Sequence, residues 1–295
     1  MHDYLRAIGF NKIKTKKDMK EIIDMVMAEP TQEFITDNGV ESALGEKSRD
    51  FGNRLGITVR GEYDDDGEFE YDYYFPYFQG KYVTTKEEVV IEKHADREDY
   101  VGVCDEVNVG VSLIFHLLNM ANYIDCIYYE KEYPKVKPIM LSGLSLSGKV
   151  ILSTAKNEDQ VKKKKVENST RNNMIAAARE GDQEAIDNLT LEDIDLYTSI
   201  SRRAKTEDVL SIVESYFMPY GISCDEYSIM GSIINYEEAF NQHTGEGLYL
   251  LTIDCNDLVF DICINKEDLI GEPMDGRRFK GTIWLQGNIE FLMDE

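Results

Sequence analysis

The sequence predicts an α+β protein: an N-terminal antiparallel sheet packed on a buried helix, then helices, then a small antiparallel β-barrel of OB-like length or an open sheet. Three observations predict this. Apolar and polar residues alternate at period two in the first third and the last quarter of the chain. Helical periodicity appears between and before these stretches. A polar stretch from Lys156 to Asn173, with Val161 and Val166 as its sizeable apolar residues, separates the two parts.

Thr15 to Met27 reads as a short amphipathic helix, because Met19, Ile22, Ile23 and Val26 recur at helical spacing before Pro30. Ile57 to Val59 and Phe69 to Phe75 read as a hairpin joined by Asp64-Asp65-Asp66-Gly67. Alternation there predicts Phe69, Tyr71, Tyr73 and Phe75 on one face. Further strands are expected at Glu88 to Glu92 and Tyr100 to Val107. Val111 to Ile124 is apolar around nearly its whole circumference and reads as the buried helix. Pro138 to Thr154 reads as two strands flanking a Gly/Ser-rich bend. Thr190 and Thr206 are expected to cap two helices, the second ending after Phe217 at Pro219. Strands are expected at Ile229 to Tyr236, Leu248 to Ile253, Leu258 to Ile264 and Phe279 to Phe291, with turns at Thr244 to Gly247 and Asn256-Asp257. The expected units are residues 1–155, a linker at 156–173, and residues 174–295.

Charge and cysteines narrow the function classes. The 295 residues carry a formal net charge of −24. Both halves are acidic, with 18 basic against 28 acidic residues up to residue 150 and 14 against 28 after it. Such a field repels phosphate backbones and anionic membranes and favours cationic partners. Cys104, Cys126, Cys224, Cys255 and Cys263 are odd in number and form no C-x-x-C pair, which predicts buried thiols in a reducing compartment. The N-terminus has no signal-peptide pattern and no apolar run is long enough for a membrane span, so a cytoplasmic protein is expected.

No catalytic motif is complete. Gly143-Leu144-Ser145-Leu146-Ser147-Gly148-Lys149 fits a phosphate loop, but Val150 stands where a magnesium-binding hydroxyl belongs, and the residues after it are strand formers. The same segment fails as a nucleophile elbow, because Ser147 occupies the place of a required glycine. Asp64, Asp65, Asp66 and Asp72 lack the spacing of a calcium loop. His2, His94, His116 and His243 are far apart, and His116 is expected to be a satisfied core histidine. Two candidate sites remain. Tyr71, Tyr73 and Phe75 could form an aromatic platform for a flat ligand, and Arg277, Arg278 and Lys280 could contact an anion or an acidic partner. No metal site and no cofactor are expected.

Three groups of segments carry a resemblance over the full length: Tyr4-Leu5-Arg6-Ala7-Ile8-Gly9-Phe10, Tyr216-Phe217-Met218-Pro219-Tyr220-Gly221-Ile222, and Gly271-Glu272-Pro273 running into Gly276-Arg277-Arg278-Phe279-Lys280-Gly281-Thr282-Ile283-Trp284-Leu285-Gln286-Gly287. Through them the chain resembles an uncharacterised, mainly clostridial family of Firmicute proteins, domain of unknown function family 3881. The resemblance implies a cytoplasmic bacterial protein and supplies no catalytic residues. The sequence thus favours a non-catalytic binding or scaffolding protein that acts through protein contacts or a small ligand. An enzyme built from dispersed carboxylates and tyrosines is the alternative, and an OB-like nucleic-acid binder is disfavoured by the charge. A deep pocket with convergent Asp, Glu or His side chains would favour the enzyme; a flat surface with an apolar patch would favour binding.

Overall fold

Thr15 starts the first helix, α1 (Lys16–Ala28), through a capping box in which its Oγ1 accepts from Asp18 N–H while the Asp18 carboxylate accepts from Thr15 N–H. Two donors that would otherwise be orphaned are satisfied. The computed structural model describes residues 2–37, 43–64, 66–93, 99–106, 108–130, 138–153 and 170–290. Met19, Ile22, Ile23 and Val26 lie on the buried face of α1. With a 3-10 segment, Asp3–Ile8, they pack on a four-stranded antiparallel sheet of β1 (Gln32–Asp37), β2 (Ala43–Gly52), β3 (Leu55–Tyr63) and β4 (Phe69–Phe78). The expected hairpin joins β3 to β4: Asp64 Oδ1 accepts from the N–H groups of Asp66 and Glu68, and Gly67 takes φ 79°. Asp65 lies outside the described residues. β4 continues through Pro76, which is tolerated because β4 is an edge strand and needs no donor there.

The second sheet contains β5 (Val89–Lys93), β6 (Tyr100–Glu106), β7 (Val111–Leu117), β8 (Ile139–Ile151), β9 (Tyr216–Pro219), β10 (Glu226–Phe240), β11 (Gly247–Cys255), β12 (Leu258–Asn265), β13 (Leu269–Ile270) and β14 (Arg278–Ile289). Five of these close into a barrel in the order β8-β12-β11-β10-β14, and β14 pairs back to β8. The β8–β12 seam is parallel and the other four are antiparallel. β7, β6 and β5 extend from β14, and β9 pairs with β10. The core that the barrel strands share with β7 includes Phe115, Ile229, Ile253, Phe260, Ile262, Phe279 and Ile283. The outer face of the barrel, through Leu144, Leu248, Leu250 and Cys263, shares the second core with α1 and the 3-10 segment.

Several elements differ from expectation. Val111 to Ile124 is not one helix: it is β7, a turn, and the start of α2 (Met120–Glu130). Pro138 to Thr154 is not two strands: β8 runs continuously from Ile139 to Ile151, with a bulge at Leu146 against β14 where the bend was expected. Residues 170–179 form a helix, α3, at the end of the polar stretch, most of which lies outside the described residues. Thr190 caps nothing; it lies inside α4 (Gln183–Arg203) and its hydroxyl donates to Ile186 O. The cap is Asp182, whose carboxylate accepts from Glu184 and Ala185 N–H. Thr206 likewise yields to Asp208, which accepts from Leu210 N–H at α5 (Val209–Ile212). Phe217 belongs to β9 rather than to a helix.

No helix among the described residues is long and apolar enough to cross a membrane. All five cysteines are free, and Cys224 alone is exposed. Burial pushes the Cys104 and Cys255 thiols up to about 12. Titration of the native protein with a thiol reagent at pH 8 is therefore expected to label Cys224 first. The other four should react only on unfolding, and rapid labelling of two or more would contradict the packing.

Candidate functional site

The register of β10 against β14 sets Glu226 opposite Trp284, and the adjoining Asp225 accepts the indole N–H of Trp284 at 2.6 Å. The 3-10 segment brings Tyr4 over the same spot, where its hydroxyl donates to Glu226 Oε1 at 3.1 Å. Tyr4 and His2 lie 5.4 and 4.7 Å from the Trp284 ring, centroid to centroid. Burial first, then the Glu226 charge, pushes the Tyr4 phenol far above its ordinary range, so it stays a donor. From the facing sheet β4 contributes Tyr73, Tyr74 and Phe75, and β7 contributes His116. These residues wall a cavity of about 530 Å³ that also touches Asp72, Asp99, Ser223, Asp225 and Glu226.

His116 is 2% exposed and sits edge-on to Phe75 and 5.0 Å from Trp284. Its Nδ1 lies 3.2 Å from Asp99 Oδ2, whereas Nε2 has no partner among the described residues. Burial opposes ionisation of Asp99, but His116, Arg60 and the Tyr100 N–H together hold its carboxyl below the usual range. Asp99 thus holds the ring through Nδ1, and Nε2, on the opposite side of the ring, is the atom left for a ligand. Arg60 stands behind this pair. It donates to Glu46 at 2.6 Å, Tyr73 at 2.9 Å, Asp99 at 3.4 Å and the carbonyls of Leu117 and Leu118. Burial disfavours its charge, yet Glu46, Tyr73 and Asp99 more than compensate.

The aromatic platform anticipated on β4 is split. Tyr73 and Phe75 line the cavity, but Tyr71 is 40% exposed and lies away from it. A bulge explains the difference: Arg60 pairs with Tyr73 and Gly61 with Tyr71, so Asp72 is the extra residue and strict alternation fails there. Of the three basic candidates, Arg278 is 4% exposed, and its guanidinium donates to the carbonyls of Leu152 and Val213. Arg277 donates to Glu272 O, and Lys280 lies opposite Lys149 across β14 and β8. Lys149 lies within strand β8, so the phosphate-loop near-match has no helix terminus to bind with. His116 is core-buried as expected but only half satisfied, and His94 lies outside the described residues. Among the described residues, no three His, Cys, Asp or Glu side chains are grouped to hold a metal ion.

A family model described as "Domain of unknown function, E. rectale Gene description (DUF3881)" matches residues 5–287, a span that includes all the cavity residues except His2 and Tyr4. No curated protein matches the chain, and no solved structure matches it.

Proposed function

The chain belongs to domain of unknown function family 3881, whose description assigns no activity, and we propose from the cavity itself that the protein binds a small organic cation. One observation carries this reading. The cavity has aromatic walls and four carboxylates, Asp72, Asp99, Asp225 and Glu226, with no Lys or Arg among its described lining residues. Arg60 compensates Asp99 and His116 faces it through Nδ1, but Trp284 and Tyr4 offer Asp225 and Glu226 only neutral donors. An ammonium group over Trp284 and Tyr4 would gain the attraction of both the ring faces and these charges. The formal net charge of −24 would concentrate such ligands and repel anionic ones.

An enzyme is the second reading, favoured by the Asp99–His116 pair and by the convergence of Asp, Glu and His side chains in one pocket. We read the barrel as OB-like on its pairing order. Taken from β10, the strands run β10-β11-β12-β8-β14, and β8 fills the fifth-strand place although it comes first in the chain. Five free cysteines agree with a cytoplasmic setting.

Trp284 is the protein's single tryptophan, so its fluorescence reports on the cavity directly. Titration with benzylammonium is expected to change that fluorescence saturably, with benzyl alcohol binding about tenfold more weakly and benzoate not at all. Asp225→Asn and Glu226→Gln are each expected to weaken benzylammonium binding. Equal or tighter binding of benzoate, or no response to benzylammonium, would overturn the assignment.

A further inference from the structure

We infer that the cation held in this cavity carries at least one N–H and donates it to His116 Nε2, an inference that rests on the cation-binding reading above. Within a buried ring, an unpaired acceptor is costly unless a ligand or water completes it. His116 Nδ1 is committed to Asp99, and Nε2 meets no described protein group although the ring is part of the cavity wall. A quaternary ammonium could satisfy the ring faces and the carboxylates, but it has no hydrogen to give Nε2. A primary or secondary ammonium satisfies all three.

Protonation of His116 would turn Nε2–H into a donor and place a positive charge against the ligand. Binding in this geometry therefore requires the neutral ring. The ionisable groups around it are Asp99 at Nδ1, Arg60 behind Asp99, Tyr73 and Tyr74 on β4, and Asp72, Asp225, Glu226, Tyr4 and His2 around the cavity. Histidine is the residue type among the lining groups whose free side chain titrates near neutral pH, so His2 must be separated from His116 by mutation.

The test compares benzylammonium with benzyltrimethylammonium by Trp284 fluorescence on the full chain. At pH 8 the primary ammonium is expected to bind about tenfold or more tightly, the worth of one charge-assisted hydrogen bond. That preference should shrink toward pH 5.5, persist in His2→Gln and vanish in His116→Phe. In the unmutated protein, a shift of a histidine ring NMR titration to lower pH on adding benzylammonium gives a reading independent of whether His116→Phe folds. Equal binding of the two cations at pH 8, or a preference that disappears with His2, would overturn the inference while leaving the cation reading intact. Failure of both cations to bind would overturn the two together.

Discussion

Replacing Arg60 with methionine is expected to cost about 3–5 kcal/mol of folding stability, measured as a fall in the urea midpoint at pH 7. The side chain is 2% exposed and is the shared partner of Glu46, Tyr73, Asp99 and two main-chain carbonyls. Methionine fills similar volume but leaves two carboxylates with less compensation in a place water reaches poorly. The pH dependence has a definite sign. A carboxyl held low in the folded state contributes stability that is present above the ordinary carboxylate range, near about 4, and is lost as the pH falls through its folded titration. Asp99 is such a group and Arg60 is one of its causes. The deficit of the variant should consequently be greatest near neutrality and smaller near pH 3. A midpoint change worth less than about 1 kcal/mol, the range of an exposed pair, would show that the buried network contributes little.

Gly61→Ala is the second large effect, expected at about 2–3 kcal/mol. A Cβ there would lie 2.0 Å from Glu70 O and 2.6 Å from Tyr71 Cα, both main-chain atoms that cannot rotate away. Relief requires β3 and β4 to separate at the bulge that orients Asp72 and Tyr73, so ligand binding should weaken along with stability. Gly67→Ala in the adjoining turn is the control. A Cβ there would meet nothing within 4 Å, and the cost is that of a left-handed alanine, about 1 kcal/mol. Equal losses from the two substitutions, compared by thermal and urea unfolding, would contradict the close approach of the strands.

The last four barrel strands were legible because alternation is clean there and turn residues such as Asn256-Asp257, both at positive φ, mark the reversals. β8 was not. Its Gly143, Ser145, Ser147 and Gly148 look like a bend, yet small residues at such positions let neighbouring strands and rings come close. A Cβ on Gly148 would lie 2.4 Å from the Phe279 ring. The Val111 to Ile124 run failed for a different reason. A buried strand and a buried helix in succession are both apolar throughout, so length alone suggested a single helix. Of the cavity, Tyr73 and Phe75 could be nominated from their pattern. His116, Asp99, Tyr4, Asp225, Glu226 and Trp284 could not, since strand pairing between distant segments brings them together and no local spacing records it.

The closure of the barrel on β8 has a consequence for synthesis. β8 leaves the ribosome before any of the strands it must join, and its antiparallel neighbour β14 ends at Ile289. A nascent chain therefore carries β8 without its barrel neighbours until β12 and β14 have been made. Late ring closure of this kind favours slow maturation and makes this one strand the natural place for a chaperone to hold.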